Sequence, residues 1–313
     1  MNIIAKQFSR TFGFTLVEVL AAVAIIAVLI SLIMPALHMV QRSADMAKQR
    51  AQFHSIEIAL EAFRADFGDY PPSDDVGLNA YAYPGAMKLA EAVIGQDGFG
   101  FHPRSEFRKD GKADWYGDGI VEPLYLPDVD GYIDGLSLTD DEKDALRREN
   151  LAIRKGPYLE LETANAVRLQ DIYKTPLPSG LLGERFVLCD MFRLVKNNAT
   201  GKRTGMPILY YRANTSNFEH QLGGDNIYVH LDNRRIVGLE NLWEGTVEHP
   251  MAGDPAIFYK NTLNPNFPTR EPDPPDPGFP GRPYRADSFI LFSAGPDGLY
   301  GTPDDVFNFN KGE

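Results

Sequence analysis

The sequence has little cysteine and a deficit of positive charge, and each shortage excludes a class of protein. One cysteine in 313 residues, Cys189, rules out an intramolecular disulfide and any thiolate-rich metal site. Asp and Glu number 43 against 31 Lys and Arg, which gives a formal net charge of -12. A nucleic-acid footprint needs a basic face. We therefore expect no nucleic-acid partner.

Sequence motifs of common enzymes are also lacking. The 6 histidines show no HExxH spacing, and the chain has no G-x-S-x-G elbow and no Gly-rich phosphate loop followed by Lys-Ser or Lys-Thr. Cys189 lies between Leu188 and Asp190, a setting that favours a half-buried small apolar residue over a nucleophile. These observations favour a protein that is not an enzyme.

The sequence has a single long apolar run. Residues 14–34 read FTLVEVLAAVAIIAVLISLIM and carry one charge, Glu18. About 20 apolar residues are enough to cross a bilayer as a helix. Lys6 and Arg10 precede the run, so the positive-inside rule keeps residues 1–13 cytoplasmic and exports the rest. A cleaved secretory signal explains the run less well, because the run is longer than the usual apolar region and lacks a clear small-x-small site.

A plain uncleaved anchor is the better alternative, but it does not explain Glu18. A carboxylate inside a membrane helix costs roughly 2.5–3.5 kcal/mol on insertion scales and usually marks a functional partner. The segment Gly13-Phe14-Thr15-Leu16-Val17-Glu18 resembles the cleavage and methylation signal of type IV prepilins and type II secretion pseudopilins. Pro35 also falls at the usual proline position of that family, where it permits a kink.

This resemblance implies a processing step and a set of partners. A prepilin peptidase would cut between Gly13 and Phe14 and methylate the new amine on Phe14. Glu18 would then pair with the terminal amine of a neighbouring subunit, since a buried carboxylate needs a cation. Other pilin or pseudopilin subunits and an inner-membrane assembly platform with a separate ATPase would be the partners.

Beyond Pro35 the pattern predicts that the helix continues to residue 67. Its apolar residues are spaced three and four apart, at Phe53, Ile56, Leu60, Phe63 and Phe67. Gly68 is the expected C-cap, and Pro71-Pro72 prevents continuation. The Gly68-Asp69-Tyr70-Pro71 end and the later Gly156-Pro157-Tyr158-Leu159 resemble the major pseudopilin of type II secretion. We therefore predict a pilin-like α+β fold, in which a long amino-terminal helix packs on a small antiparallel sheet with large loop insertions.

The globular part, residues 68–313, is longer than a typical major pseudopilin. Residues 73–150 are predicted to be an insertion, and its stretch 110–144 carries 11 acids against two bases. Thr139-Asp140-Asp141-Glu142 is a capping-box pattern that predicts a short helix to about Arg154. Residues 264–284 carry eight prolines, which favours an extended surface loop. The strands are expected at 207–212, 227–231, 235–239 and 288–293.

Acidic residues are concentrated near the carboxyl terminus, in the loop 292–306. Asp297, Asp304 and Asp305 fall within nine residues and are separated by glycines. Calcium takes six to eight oxygens, which a curled loop of this kind can supply. The run is similar to the carboxyl-terminal calcium loop of the major pseudopilins, which implies these three carboxylates and carbonyls near Ser293 and Leu299 as calcium ligands. A solvated acidic turn is the alternative, and it is the favoured reading of the acidic run 128–134.

Two functions follow from these observations. The first is a structural, pseudopilin-like subunit that is held in the inner membrane by residues 14–34, with a periplasmic globular domain, and that joins a filament after processing. The second is a membrane-anchored periplasmic binding protein or enzyme that uses a pilin-like anchor. The absence of convergent catalytic residues favours the first.

Overall fold

A computed structural model describes residues 15–75, 83–114, 119–173, 177, 180–239, 247–266 and 281–311. The chain divides into two compact units, residues 1–47 and 48–313. The helices are α1 (Leu16–Phe67), α2 (Gly85–Ile94), α3 (Asp128–Asp134), α4 (Asp140–Ala152), α5 (Leu169–Ile172), α6 (Arg234–Val237), α7 (Pro250–Gly253) and α8 (Ala256–Thr262). The strands are β1 (Lys112–Ala113), β2 (Glu122–Pro123), β3 (Ala166–Arg168), β4 (Phe186–Leu188), β5 (Val195–Lys196), β6 (Arg203–Thr204), β7 (Leu209–Arg212), β8 (Phe289–Ser293) and β9 (Val306–Phe307).

The amino-terminal unit contains the first part of α1. Its large apolar side chains between Leu16 and Met34 are 50% to 75% exposed, as a helix without a packed protein neighbour requires. Among the described residues, no helix combines the length and the apolarity needed to cross a membrane. The membrane span that the sequence predicts for residues 14–34 stays a prediction.

The carboxyl-terminal unit begins with the last turns of α1, which carry the predicted apolar stripe. Phe53, Ile56, Leu60 and Phe63 are at most 3% exposed, and Phe67 is half-buried. Gly68 follows with φ of +85°, and its N–H donates to the Arg64 carbonyl oxygen at 2.7 Å. The stripe and its glycine cap are therefore confirmed as the core-facing side and the end of this helix.

Small antiparallel sheets form the rest of the scaffold. The largest has the order β7-β8-β9, with Leu209 opposite Phe292 and Arg212 opposite Phe289. The pairs β1-β2, β3-β4 and β5-β6 form two-stranded sheets. The strands predicted at 207–212 and 288–293 are confirmed by β7 and β8, whose apolar runs lie in the main core. Together with α1, these sheets confirm the predicted α+β class.

Two predicted strands are wrong. Residues 227–231 and 235–239 form no strand; a 3-10 turn at His230–Asn233 is followed by α6 at Arg234–Val237. Asn233 is fully buried, where its side chain donates to the Tyr210 carbonyl oxygen and accepts from the Ala86 N–H. These long-range hydrogen bonds outweigh the local β propensity of the Ile and Val residues on either side.

The predicted insertion, residues 73–150, has more regular structure than its sequence pattern indicated. All ten residues of α2 are buried, and α2 packs on β4 and β7 within the core. The capping box predicted at Thr139 and Glu142 is present in full and begins α4. The acidic run 128–134 forms α3, where Asp130 and Asp134 form ion pairs with Arg147. The Pro-rich stretch 267–280 lies outside the described residues.

Candidate functional site

The amino-terminal segment is built around Thr15 and Glu18, which close the first turn of α1. The Glu18 carboxylate accepts from the Thr15 N–H and from the Thr15 hydroxyl, both at 2.9 Å. The Glu18 N–H donates in return to Thr15 Oγ1 at 3.3 Å. This is the reciprocal pattern of a capping box, with Thr15 as N-cap and Glu18 as N3. A carboxylate in this position also complements the positive end of the helix dipole.

The capping role of Thr15 was missed by the sequence reasoning, although its signal was present as Thr-x-x-Glu before an apolar run. Gly13 and Phe14, the predicted cleavage and methylation positions, lie outside the described residues. Pro35 lies inside α1, which continues through it. The Glu18 side chain points back along the helix to Thr15, the first residue that the structure describes.

Polar side chains join the end of α1 to the loops around the sheet. Gln52 Nε2 donates to the Cys189 carbonyl oxygen at 2.8 Å, and Gln49 Oε1 accepts from the Met191 N–H at 2.8 Å. Glu57 accepts from Asn308 Nδ2 at 2.9 Å and forms an ion pair with Arg285 at 2.8 Å. The carboxyl-terminal strand is therefore held on the helix by directed polar contacts as well as by packing.

The carboxyl-terminal loop, residues 293–306, connects β8 to β9 and is tightly curled. It opens with a 3-10 turn at Gly295–Asp297, and Gly298 adopts the left-handed conformation. Gly295 has φ of +71°, and a Cβ there would lie 2.0 Å from the Asp304 carbonyl oxygen. Only glycine allows the two ends of the loop to approach this closely.

Asp305 is the carboxylate that the loop encloses. Its oxygens accept from the Gly301 N–H at 3.2 and 3.0 Å, and Asn261 Nδ2 of α8 lies 3.4 Å from Oδ2. Burial raises the pKa of Asp305 to about 8, against the opposing effects of Lys311 and of the backbone N–H donors. Burial therefore disfavours the charged form of Asp305 in the protein alone.

The other predicted calcium ligands have different surroundings. Asp297 is half-buried, and its Oδ1 accepts from the Leu299 N–H at 3.0 Å, while Asp304 is also half-buried. The Ser293 hydroxyl donates to Asp190 Oδ2 at 2.8 Å, so its carbonyl is the group left for a cation. The Leu299 carbonyl accepts from Thr302 Oγ1 at 3.4 Å. Over the ranges that the structure describes, no three His, Cys, Asp or Glu side chains are grouped so as to hold a metal ion.

Asp190 is a buried carboxyl that no sequence pattern singles out. It lies beneath the start of the loop, where it accepts from the Ser293 hydroxyl and from the N–H groups of Phe192 and Met206. Burial raises its pKa to about 7 even though these donors oppose the shift. Gly205 passes so close that a Cβ would lie 1.8 Å from Asp190 Oδ1. Asp190 therefore fixes the point at which the loop leaves β8.

The middle of the loop is held by residues from the segment before α7. Tyr300 is fully buried; its N–H donates to His249 Nδ1 at 3.3 Å and its carbonyl accepts from the Met251 N–H at 3.1 Å. The Tyr300 hydroxyl donates to the Pro207 carbonyl oxygen. Burial lowers the pKa of His249 to about 4, which keeps the ring neutral and able to accept at neutral pH.

Comparison with known proteins gives evidence that is independent of this geometry. Residues 8–34 match the family described as the prokaryotic N-terminal methylation motif. The chain is 28% identical over 134 residues to type II secretion system core protein G of Klebsiella michiganensis, which covers 42% of this chain and 89% of that protein. Proteins of the same name from Pectobacterium carotovorum and Vibrio cholerae are 38% and 35% identical over 71 and 75 residues.

These last two matches cover 23% and 24% of this chain and 45% and 51% of the relatives, so the chain spans about half the length of each. No solved structure matches the chain. The methylation motif includes Gly13, Phe14 and Glu18, the residues on which the predicted resemblance was based. The predicted resemblance is thereby confirmed: the chain carries a prepilin-type methylation motif at residues 8–34 and is similar to core protein G of type II secretion systems.

Proposed function

We propose that this protein is a structural subunit of a type II secretion pseudopilus or of a related pilus-like filament, and that it is not an enzyme. The methylation motif at residues 8–34 carries this proposal. Under this proposal, residues 14–34 anchor the chain in the inner membrane, with the amino terminus in the cytoplasm and residues 68–313 in the periplasm. A prepilin peptidase cleaves between Gly13 and Phe14 and methylates Phe14. Other subunits, an assembly platform and a separate ATPase are the partners.

The geometry of the first helical turn supports the role proposed for Glu18. Its carboxylate already binds the Thr15 N–H at 2.9 Å, two residues from the proposed cleavage point. Cleavage would place a positively charged amine on Phe14, one residue before Thr15 in the chain. In a filament the same carboxylate accepts the amine of the adjacent subunit, which fixes the axial offset between two packed helices. The exposed apolar side chains of residues 16–34 supply the rest of the contact area.

The mass and terminal sequence of the mature protein, taken from its native membrane, test this proposal. We expect a chain that begins at methylated Phe14. A chain that retains Met1 would contradict the processing step and would favour the alternative of a binding protein or enzyme on an uncleaved anchor.

We also propose that the carboxyl-terminal loop binds calcium, with Asp297, Asp304 and Asp305 as carboxylate ligands and the carbonyls near Ser293 and Leu299 as further ligands. The support is chemical: Asp305 is a half-buried carboxylate whose pKa burial raises to about 8, and Asp297 and Asp304 lie in the same curled loop. When bound, the ion would supply the positive charge that the loop lacks and would stabilise its curled form.

Thermal unfolding of the full-length protein in detergent, with calcium and with a chelator, tests the calcium proposal. We expect chelation to lower the melting temperature of wild type and to have no effect on Asp305→Asn. An equal melting temperature of wild type in both buffers would contradict the proposal. Magnesium replaces calcium in the control buffer, because it prefers six-coordinate, partly hydrated sites.

A further inference from the structure

One exposed aromatic residue of the globular unit is unexplained by the fold. Phe218 is 85% exposed, the largest value among the large apolar side chains that the structure describes. It lies in the loop 214–226, which also presents Leu222 at 57% exposure. Exposure of a single apolar residue is common and means little by itself. Here the structure of the loop around Phe218 and a nearby pocket indicate a binding role for the exposed ring.

The loop that carries Phe218 is held rigidly by its own hydrogen bonds. Asn226 is buried and accepts from the Gln221 N–H at 2.7 Å, while its side-chain amide donates to the Gly223 carbonyl at 3.2 Å. The Ile227 N–H donates to the Glu219 carbonyl at 2.8 Å, and Asn217 Nδ2 donates to the Asn226 carbonyl at 2.9 Å. A ring held out on a preorganised loop loses little conformational entropy on binding.

A pocket that can hold such a ring lies in the same unit. It has a volume of about 220 Å³ and a mainly apolar lining that includes Leu231, Arg234, Val237, Met251, Ala252 and Pro255. An apolar cavity of about 150 Å³ is large enough for benzene, so a phenyl ring fits. Tyr259 lies between the loop and the pocket, with its hydroxyl 3.4 Å from Asn226 Nδ2 and 3.1 Å from His230 Nδ1. The loop and the pocket are therefore neighbours within this unit.

The charges of the two features are complementary. The stretch 213–229 contains Glu219 and Asp225 and has no Lys or Arg. The pocket lining includes no acid, and the Arg234 side chain at its edge is 58% exposed, with Asp75 as a distant partner at 4.0 Å. An acidic loop with an apolar tip thus matches an apolar pocket with a basic edge.

We propose that Phe218 of one copy of this chain inserts into this pocket of a neighbouring copy. The proposal rests on the proposed function, since a filament brings many copies side by side on one membrane and raises their effective concentration. Each copy carries both halves of the contact, and charge complementarity favours the acidic loop of a second copy as the occupant. The contact adds a periplasmic attachment between subunits to the one that the amino-terminal helices provide.

Site-specific photo-cross-linking tests the contact. Phe218 is replaced by p-benzoylphenylalanine in the full-length chain, which is then irradiated in its native membrane. We expect a covalent dimer, and mass spectrometry of its peptides is expected to place the adduct on Met251 or its neighbours in the pocket. The same replacement at Phe99, which is also exposed at 57%, is the matched control and is expected to give no adduct in this pocket.

One further variant makes the outcome decisive. Arg234→Gln leaves the pocket apolar but removes the charge at its edge, and we expect it to reduce the dimer yield. Its melting temperature should stay close to that of wild type, because Arg235 still pairs with Asp75 at 2.8 Å. An adduct on another protein, an adduct outside residues 230–255, or equal dimer yields from the Phe218 and Phe99 positions would overturn the contact. If the mature chain begins at methylated Phe14 but the cross-linking gives any of these results, the contact is wrong and the proposed function still holds. A retained Met1 would overturn the proposed function.

Discussion

Asp305 is the residue whose charge state the loop controls most directly. Burial raises its pKa from an ordinary value of 3.8 to about 8, so the folded protein holds a proton that the unfolded chain has already released at neutral pH. The contribution of Asp305 to stability in the absence of a cation therefore falls as the pH rises from about 4 to about 8, and then levels off. Asp190 and Asp232, whose pKa values burial raises to about 7, act in the same direction.

The contribution of Asp305 can be isolated by substitution. In chelator, we expect the free energy of unfolding of wild type to fall between pH 5 and pH 8 more steeply than that of Asp305→Asn, by up to about 1.4 kcal/mol per pH unit. Asp304→Asn changes the neighbouring half-buried carboxylate and is the matched control. Denaturant unfolding of the full-length protein at several pH values measures these slopes, and parallel slopes for wild type and Asp305→Asn would refute the assignment.

The segment just after α4 is joined to the turn after α2 by a buried ion pair. Arg154 Nη1 lies 2.7 and 2.6 Å from the two oxygens of Asp97, and Nη2 donates to the Leu124 carbonyl at 2.8 Å. The two side chains are 1% and 4% exposed. Removal of one partner leaves the other charge buried and unpaired, which typically costs about 3–5 kcal/mol.

We therefore expect Arg154→Met to lower the free energy of unfolding by about 3–5 kcal/mol. Asp97→Asn combined with Arg154→Met is expected to lose less, because no uncompensated charge remains. Arg147→Met removes the more exposed cation that contacts α3, and should change stability by about 1 kcal/mol or less. Chemical denaturation of the three variants is the measurement, and similar losses for Arg154→Met and Arg147→Met would contradict the importance of burial.

Asn233 joins the start of α2 to the outer edge of β7. Its side chain satisfies the Ala86 N–H at 2.8 Å and the Tyr210 carbonyl at 2.7 Å, both in the core. Asn233→Ala leaves two buried backbone groups without these partners, so we expect a loss of at least about 2 kcal/mol. Asn198→Ala, at an exposed position, should stay within about 0.5 kcal/mol of wild type. A comparable effect of the two variants on the denaturation midpoint would disprove this role.

Elements with a strong local signal were predictable, and elements that depend on distant partners were not. The stripe from Phe53 to Phe63, the cap at Gly68 and the box at Thr139 each follow from spacing within a few residues. The segment at 230–237 folds as a turn and a helix because Asn233 finds partners 23 and 147 residues away. The ligand set Asp297, Asp304 and Asp305 stays a prediction from the local acidic pattern and the resemblance, whereas Asp190 and His249 become visible only in the folded chain.

At the scale of the whole molecule, Glu18 has two roles that must be separated. Within one chain it caps α1 through Thr15, and in the proposed filament it pairs with the amine of a neighbouring subunit. We expect Glu18→Ala to be processed at Gly13 yet to fail in assembly, since it loses both roles. Thr15→Ala removes only the hydroxyl of the cap, which is worth about 1 kcal/mol, and leaves the carboxylate available.

We therefore expect different amounts of filament from the two variants. Thr15→Ala should assemble nearly as well as wild type, and Glu18→Ala should leave the subunit in the membrane, as measured by filament recovery in sheared fractions. The mature mass of each variant shows whether processing has occurred, so a defect in cleavage cannot be mistaken for a defect in assembly. If Thr15→Ala fails to assemble as completely as Glu18→Ala, helix capping alone accounts for the requirement for Glu18. The proposed pair between Glu18 and the amine of a neighbouring subunit is then wrong. If Glu18→Ala assembles normally, both the pair and its axial register are excluded, and the exposed apolar surface of residues 16–34 must set the packing of the helices alone.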